Sequence, residues 1–256
     1  MKPDERRRRI ADLVKEASRA SVEELAGLLD TSRETVRRDL TLLSEQGVLR
    51  KVHGGAVYTQ TALESPLKER YAAARQEKLA LAEVAARQFS EGDSLLIDGG
   101  TTTALFAAAL GRTGSFTVIT NSLLVARELR ESPKKSEVYL LGGRLFGEGD
   151  EVLGSLVIEQ IQRLQADHAV LTVGAIDPRG RCLDFNAEEA FIARAMMASA
   201  RRTTILADST KLGKHALFQV CSAGEIDRLV TDKPPPGDLG EALRVANVEV
   251  LVAASG

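Results

Sequence analysis

Two adjacent arginines, Arg37 and Arg38, have the chemistry to read the edges of DNA bases. A guanidinium group donates two parallel hydrogen bonds to guanine in the major groove. At 100° per residue, both arginines lie opposite the apolar stripe of a predicted helix, whereas the flanking Asp39 is expected to pair with an arginine. Hydroxyl and cationic groups of the same helix can contact phosphates or bases, and we expect such contacts from Ser32, Arg33, Thr35 and Thr41.

A basic hairpin is predicted directly after this helix. Two short apolar segments, Val48–Val52 and Ala56–Val57, flank the turn His53-Gly54-Gly55. The positive groups that the hairpin offers to a DNA backbone are Arg50, Lys51 and His53. The alternative is a surface helix with solvated charges, but helix, glycine stop and basic hairpin together favour a winged helix-turn-helix.

A second group of polar residues follows short apolar strands in the C-terminal two hundred residues. The strand Ser94–Asp98 runs into Gly99-Gly100-Thr101-Thr102-Thr103 and then a helix, Ala104–Leu110. Backbone amides and hydroxyls at such a turn favour an anion. The turn alone also has a structural explanation, because glycine permits tight turns and close packing.

Other predicted strands also end in small, hydroxyl-bearing or charged residues, which makes a shared pocket the better explanation. These strand ends are Asn121-Ser122 after Phe116–Thr120, Gly142-Gly143-Arg144 after Val138–Leu141, Gly174-Ala175 after Val170–Val173, and Asp208–Lys211 after Thr204–Ala207. In an open, mostly parallel sheet, ligands bind outside the carboxyl ends of the strands. Hydroxyls, glycines, Arg144 and Lys211 together suit a phosphorylated, hydroxyl-rich metabolite.

Three helices are predicted to position the DNA-reading face. Their apolar stripes are Ile10, Leu13, Val14 and Ala17; Val22, Leu25, Ala26 and Leu29; and Val36, Leu40 and Leu43. Capping boxes are predicted at Ser21–Glu24 and at Thr31–Glu34, so that each opens a helix. Gly47 is a natural stop for the third helix.

The pattern of polar and apolar residues changes after residue 57. Tyr58–Glu69 is polar, contains Pro66 and has little apolar periodicity, which is typical of a linker. We therefore predict a DNA-binding domain over 1–57, a linker over 58–70 and an effector-binding α/β domain over 71–256. The last begins with a predicted helix, Tyr71–Phe89, which together with the linker would carry a signal between the domains.

Composition excludes several other classes of protein. The 256 residues are 44% hydrophobic and 27% charged, which excludes a disordered or collagenous chain. A net charge of −2 excludes a purely electrostatic nucleic-acid binder, although residues 1–60 hold 12 basic against 10 acidic residues. Two cysteines, Cys182 and Cys221, and three dispersed histidines predict neither disulfides nor a metal site, and we expect no cofactor. Without a secretory pattern or a membrane-spanning apolar run, we expect a cytoplasmic protein.

These motifs resemble one family over nearly the whole chain. Thr35-Val36-Arg37-Arg38-Asp39-Leu40 and Arg50–Val57 resemble the winged helix-turn-helix of the DeoR family of bacterial transcription regulators. The segments D-G-G-T-T-T, T-N-S, G-G-R, Asp184–Ala190 and D-S-T-K-L-G resemble its sensor domain, from about Glu77 to Asp232. That domain is similar in fold to ribose-5-phosphate isomerase and CoA transferases, and it binds phosphosugars or related intermediates.

The resemblance implies a set of effector-binding residues. Gly100, Thr101, Thr102 and Thr103 would cradle the phosphate; the other members of the set are Asp98, Asn121, Ser122, Gly143, Arg144, Lys211 and, as hydroxyl acceptors, Asp184 and Glu188. The expected function is a transcription regulator, usually a repressor in this family, that a phosphorylated sugar or polyol controls. Its partner would be double-stranded operator DNA, and a palindromic operator would require at least a homodimer.

The alternative is a sugar-phosphate isomerase with an added DNA-binding domain. Isomerase chemistry needs a carboxylate base, for which the candidates are Asp98, Asp177, Asp184 and Glu188, with Lys211 as the electrophile. No two of these residues have the tight spacing of a recognisable catalytic motif. We therefore expect a regulator and no enzymatic activity.

Overall fold

A computed structural model describes residues 3–17, 19–45, 48–52, 54–57, 67–146 and 150–253. The chain divides into two compact units, residues 1–69 and 70–256. Three predicted features lie outside the described residues: the helix stop at Gly47, the wing residue His53, and most of the linker, residues 58–66.

The first unit consists of three helices and a small antiparallel sheet. The helices are α1 (Pro3–Ala17), α2 (Val22–Leu28) and α3 (Arg33–Glu45), and the strands are β1 (Arg19–Ser21), β2 (Arg50–Val52) and β3 (Gly55–Val57). The order β1-β3-β2 confirms the hairpin and adds one strand. The sequence did not predict β1, because three residues with a single buried side chain, Ala20, show no alternation.

The apolar stripes of the three helices form the core of this unit. Ile10, Val14, Leu25, Val36 and Leu40 are all buried together. Ala17 is an exception: it was predicted in the first stripe but is exposed, because it ends α1.

The helix starts depend on two serines. At α2 the predicted capping box is confirmed: the Ser21 hydroxyl accepts a hydrogen bond from the Glu24 amide, and Glu24 accepts one from the Ser21 amide. These bonds from Ser21, first from its amide and then from its hydroxyl, lower the pKa of Glu24. The second predicted box is wrong by one residue, since Ser32 rather than Thr31 caps α3 by accepting from the Thr35 amide. The predicted box of Thr31 with Glu34 is therefore replaced by a cap between Ser32 and Thr35.

The second unit has a seven-stranded, entirely parallel sheet at its centre. Its strands are β4 (Ser94–Ile97), β5 (Thr117–Thr120), β6 (Glu137–Leu140), β9 (Ala166–Thr172), β12 (Ala200–Leu206), β14 (Arg228–Thr231) and β15 (Glu249–Val252). Smaller sheets contain β7 (Arg144–Phe146) with β8 (Glu151–Leu153), and β10 (Ala175–Ile176) with β11 (Cys182–Asp184) and β13 (Phe218–Cys221). Strands β9 and β12 begin several residues earlier than predicted. Their first paired residues include polar ones, such as His168 and Arg202, which do not fit the apolar pattern from which the strands were predicted.

Helices cover both faces of this sheet. They are α5 (Arg75–Ala86), α6 (Thr101–Thr113), α7 (Leu123–Glu131), α8 (Ser155–Ile161), α9 (Ala187–Ala198) and α10 (Gly237–Val245); a short helix, α4 (Leu67–Ala72), precedes α5 in the chain. Alternate residues of β4 face opposite layers: Leu95 and Ile97 pack with α5, α6 and α7, whereas Leu96 packs with α8, α9 and α10. Both cysteines, Cys182 and Cys221, are free and buried, and they belong to the apolar cluster on the side of α8, α9 and α10.

The single helix predicted over Tyr71–Phe89 is wrong. Ala74 has φ +49°, a left-handed conformation that interrupts a right-handed helix, and so α4 and α5 are separate. The amide of Lys78 donates to the carbonyl of Ala74, which starts α5. Hydrophobic periodicity did not reveal the break, because the alanines on either side fit a helix.

The order of the strands, β15-β14-β12-β9-β4-β5-β6, contains one reversal of direction. From β4 the chain proceeds to β5 and β6 on one side, and it then returns to β9 and proceeds through β12, β14 and β15 on the other. The carboxyl ends of β4 and β9 therefore flank the topological switch point, where open α/β sheets bind their ligands.

Candidate nucleic-acid interface and candidate effector crevice

The exposed face of α3 carries the two arginines that the sequence predicted there. The side chains of Arg37 and Arg38 are 56% and 78% exposed. Glu34, one turn earlier, lies 3.9 Å from Arg37 Nη1 and 3.5 Å from Arg38 Nε. Pairs this exposed are weak, so either guanidinium can exchange Glu34 for a phosphate or a base at small cost.

The wing lies directly beside this face. The ammonium of Lys51, on β2, donates to the hydroxyl of Thr41 at 2.7 Å, and that hydroxyl donates to the carbonyl of Arg37. The Lys51 amide also donates to Ser44. Helix and wing thus border one groove of about 520 Å³, which is lined by Glu34, Arg37, Arg38, Thr41, Leu42 and Lys51.

Three of the remaining predicted DNA contacts lie at the start of α3. The Ser32 hydroxyl is hydrogen-bonded to that of Thr35 at 2.8 Å, and Arg33 lies 3.6 Å from Glu23 of α2. Arg50 begins β2. Ser32, Arg33 and Thr35 lie at the N-terminal end of α3, where the first backbone amides of a helix attract a phosphate.

Asp39 holds α3 to α1. It is 3% exposed, and one of its oxygens accepts from Arg6 Nε at 2.6 Å, while the other lies 3.8 Å from Arg7. The hydrogen bond to Asp39 raises the pKa of Arg6. The prediction that Asp39 pairs with an arginine is confirmed, and its partner comes from another helix.

The glycine turn of the second unit lies at the switch point. Gly100 has φ +141°, and a Cβ at this position would lie 2.6 Å from the Cγ2 atom of Thr172, at the end of β9. Only glycine allows both this backbone conformation and this approach. The turn therefore places the start of α6 against the neighbouring strand.

The three threonines form the first turn of α6. The helix begins at Thr101 instead of the predicted Ala104, because the amide of Ala104 already donates to the carbonyl of Gly100. The amides of Thr101, Thr102 and Thr103 are thus among the first four of the helix, which have no partner inside it. All three residues are at most 4% exposed. We call these three residues the candidate anion cradle; they lie at the positive end of α6.

Lys78 supplies a cation that sequence reasoning missed. It projects from α5, is only 4% exposed, and its ammonium donates to Thr101 Oγ1 at 3.3 Å and to the carbonyl of Arg70 at 2.6 Å. A lysine within a helix of ordinary composition carries no signal by itself. The break at Ala74, which sets the orientation of α5, could not be seen in the sequence.

Lys211 approaches the same point from the other side. It lies in a short 3-10 helix, Ser209–Lys211, which the buried Asp208 caps. Its ammonium donates to Thr172 Oγ1 at 3.0 Å and to the carbonyl of Val173 at 2.6 Å. Two lysines on different elements therefore face the ends of β4 and β9.

The turn after β5 adds buried polar groups. Asn121 and Ser122 are fully buried. Ser122 caps α7 by accepting a hydrogen bond from the amide of Val125. The backbone of Ser122 also forms an isolated antiparallel β-bridge with that of Glu151 in β8. The side-chain amide of Asn121 donates to the carbonyl of Val152 at 3.3 Å. The hairpin β7–β8 is thereby attached to the end of β5.

The other predicted effector residues have varied surroundings. Asp98 and Asp184 are each 6% exposed, and each accepts from the next residue's amide. Arg144 and Glu188 form an exposed ion pair at 3.0 Å. Gly143 packs against Val152, since a Cβ there would lie 2.9 Å from its Cγ1.

Two family models match the chain. The model described as the DeoR-like helix-turn-helix domain covers residues 6–62, and that of the DeoR C-terminal sensor domain covers residues 73–233. Within the described parts of the chain, none of the helices is long and apolar enough to cross a membrane.

Curated relatives match over almost their whole length. The HTH-type transcriptional repressor CsqR of Escherichia coli K12 is 34% identical over 240 residues, 94% of this chain and 92% of the relative. The glycerol-3-phosphate regulon repressor of the same strain is 31% identical, covering 98% of this chain and 99% of the relative. The HTH-type transcriptional repressor GlcR of Bacillus subtilis is 33% identical, covering 98% and 97%.

Solved structures are similar at a greater distance. Ribose 5-phosphate isomerase A of Methanocaldococcus jannaschii aligns with a TM-score of 0.41 and 14% identity, over 55% of each chain. The β subunit of eIF2B from Chaetomium thermophilum aligns with a TM-score of 0.48 and 16% identity, over 70% of this chain and 56% of the other. Neither similarity bears on function.

Proposed function

The chain belongs to the DeoR family of transcriptional regulators, and we propose that it is a repressor whose affinity for operator DNA depends on a phosphorylated sugar or polyol. The observation that carries the effector half is the anion cradle at the switch point. It combines the first amides of α6, which have no partner inside the helix, with Lys78, which donates to Thr101, and with Lys211, which donates to Thr172 at the end of the neighbouring strand β9. The buried carboxylate of Asp98 lies directly before the glycine turn, and a carboxylate oxygen can accept a hydrogen bond from a hydroxyl group.

The DNA half is supported by the shared groove of α3 and the wing. In helix-turn-helix proteins the N-terminal part of the recognition helix enters the major groove and reads base edges. Arg37 and Arg38 have the exposure and the donor geometry for guanine, whereas Lys51 is placed for a phosphate of the adjacent backbone. Such a protein works on the chromosome, and we propose a cytoplasmic location.

Control of DNA binding by the effector is a matter of linkage. The effector must bind the DNA-competent and DNA-incompetent arrangements with different affinities, since otherwise it shifts neither population. Coupling free energies of about 1–3 kcal/mol are usual, which corresponds to a change in DNA affinity of about 5–150-fold.

The test of the DNA half is the variant Arg38→Ala, bound to the protein's own promoter region at fixed salt. Affinity is expected to fall by about 1–3 kcal/mol if Arg38 reads a base, and by less if it meets only a phosphate. Arg130→Ala, which removes an exposed arginine of α7, is the matched control. Equal affinities of the two variants in fluorescence anisotropy would remove Arg38 from the interface.

The test of the effector half is a thermal-shift screen of phosphosugars and polyol phosphates, followed by DNA binding with each hit. A ligand at 100 times its Kd stabilises the folded protein by about 2.7 kcal/mol. A hit that leaves the affinity for DNA unchanged would contradict regulation through this crevice.

A homodimer or higher homo-oligomer is part of the proposal. A palindromic operator presents two equivalent half-sites, which a twofold assembly matches. Exposed apolar side chains on β6 and β7, namely Tyr139, Leu140, Leu145 and Phe146, support association through the second unit. Analytical ultracentrifugation tests it: a monomer at micromolar concentration that still binds the operator would refute an obligatory dimer.

Isomerase activity has less support. Asp177, one candidate base, accepts two hydrogen bonds from Arg181, through its amide and its Nε. Burial raises the pKa of Asp177, but the hydrogen bonds from Arg181 outweigh it, so the net pKa is lowered and the carboxylate is a weak base. Lys211 donates to Thr172 and Val173. We therefore propose a binding role for this crevice.

A further inference from the structure

The carboxyl group of Glu151 packs onto the glycine turn that precedes α6. A Cβ built on Gly99 would lie 2.4 Å from Cδ of Glu151 and 2.6 Å from its Oε1. Gly99 is thus the residue whose missing side chain leaves room for this carboxyl group. An acidic side chain of the protein itself lies next to the place where an anion is proposed to bind.

Backbone hydrogen bonds fix Glu151 in this place. On one side of it, the amide of Val152 donates to the carbonyl of Asn121 at 2.8 Å. On the other side, the carbonyl of Asp150 accepts from the amide of Leu123 at 2.9 Å. Strand β8 is therefore anchored at both sides of Glu151 to the turn that follows β5, and its position does not depend on the side chain.

A second observation at the same turn points to a ligand that donates hydrogen bonds. The side-chain nitrogen of Asn121 donates to the carbonyl of Val152, which fixes the orientation of the amide. Its oxygen, Oδ1, is buried and has no hydrogen-bond partner among the described residues. Buried polar groups without partners are rare and costly, so this acceptor calls for a donor from outside the chain.

We propose that Glu151 is a specificity-determining residue of the effector crevice: with Asn121 it accepts hydroxyl groups of a ligand whose phosphate lies at the start of α6, and it repels a second anionic group. This inference rests on the effector site proposed above. It narrows the ligand to phosphate monoesters that carry neutral hydroxyls close to the ester, and it excludes their carboxylic-acid counterparts.

The charges at this end of the sheet support separate places for the phosphate and for the hydroxyl groups of the ligand. Positive groups converge at the start of α6, where the ammonium of Lys78 donates to the hydroxyl of Thr101. Carboxylates lie beside it, in the buried Asp98 and in Glu151. A phosphate is attracted to the first location, but a further carboxylate on the ligand would face the half-buried carboxylate of Glu151, and like charges repel each other. A hydroxyl in the same place donates to it and is favoured.

The test compares two small probes that differ only at one carbon. Glycerol 3-phosphate carries a hydroxymethyl group where 3-phosphoglycerate carries a carboxylate, and inorganic phosphate reports on the anion cradle alone. Isothermal titration calorimetry at pH 7.5 on the full chain gives a Kd for each probe. We expect the wild-type protein to prefer glycerol 3-phosphate by at least tenfold.

The variant Glu151→Gln keeps the size of the side chain and removes its charge. It is expected to reduce this preference to threefold or less, mainly because 3-phosphoglycerate binds more tightly. Glu159→Gln, which removes an exposed carboxylate on α8, is the matched control and should keep the wild-type ratio. Glu151→Ala provides a second variant, and circular dichroism verifies that each variant is folded.

The outcomes separate the two proposals. A wild-type preference below threefold, or the same preference in folded Glu151→Gln and Glu151→Ala as in wild type, overturns the role of Glu151 and leaves the effector site standing if phosphate binds. If neither inorganic phosphate nor either ester binds to the wild-type protein, the effector site itself is refuted, and the role of Glu151 is refuted with it.

Discussion

The substitution Gly100→Ala is expected to destabilise the second unit through two separate effects. The first is conformational, because Gly100 has φ +141°, outside the range of residues with a side chain. The second is steric, because the new methyl group would lie 2.6 Å from Cγ2 of Thr172. Thr172 cannot easily turn away, since its hydroxyl donates to the carbonyl of Leu206 and accepts from Lys211.

Each effect has a known range. A residue held in a sparsely populated backbone region costs about 1–3 kcal/mol. Inserting a methyl group into a packed site costs about 1–3 kcal/mol more. We therefore expect Gly100→Ala to lower the free energy of unfolding by about 2–6 kcal/mol. For a unit of this size, each kcal/mol lowers the Tm by about 2–4 °C, so the Tm should fall by roughly 4–24 °C.

Two other glycines separate the strain from the clash. Gly92 also has a positive φ, +94°, but a Cβ there would have no atom within 4 Å. Gly224 has neither a positive φ nor a neighbour within that distance. Gly92→Ala is therefore expected to cost about 1–2 kcal/mol, and Gly224→Ala close to nothing.

Differential scanning calorimetry of the three variants measures the difference directly. The order of Tm should be Gly224→Ala, then Gly92→Ala, then Gly100→Ala as the least stable. If Gly100→Ala matched Gly92→Ala, the contact with Thr172 would carry no cost. If it matched Gly224→Ala, the reasoning that glycine is required between β4 and α6 would be wrong.

Two further substitutions test the site and the first unit. Lys78→Met should weaken binding of inorganic phosphate or a phosphate ester by about 10–150-fold, because a charge-assisted hydrogen bond contributes about 1.5–3 kcal/mol. Isothermal titration calorimetry measures the change in Kd. A change below threefold would show that Lys78 does not bind the anion. Asp39→Asn should lower the free energy of unfolding of the first unit by roughly 2 kcal/mol, because Arg6 loses a charged acceptor at 2.6 Å. Urea unfolding measures this loss. An unchanged urea midpoint would show that the Arg6–Asp39 pair does not stabilise the unit.

Local pattern and chain topology contributed differently to the DNA-binding surface. The helical stripe of Val36 and Leu40 is sufficient to place Arg37 and Arg38 on the outer face, because period and side-chain direction are local properties. The strand β1 and the one-residue shift of the second cap were not predictable in this way. Both depend on which partner a backbone amide finds, and that choice is made by the folded unit.

At the crevice, the sequence by itself determined the polar strand ends, since a strand that turns through Gly99 and Gly100 into a helix is recognisable from residue types alone. It could not reveal that Lys78 and Glu151 flank this turn. Lys78 is more than twenty residues before the turn, Glu151 is about fifty after it, and both belong to elements without a distinctive local pattern. Only the order of the strands and the break at Ala74 bring them to Thr101 and Gly99, because contacts between distant segments arise from packing rather than from periodicity.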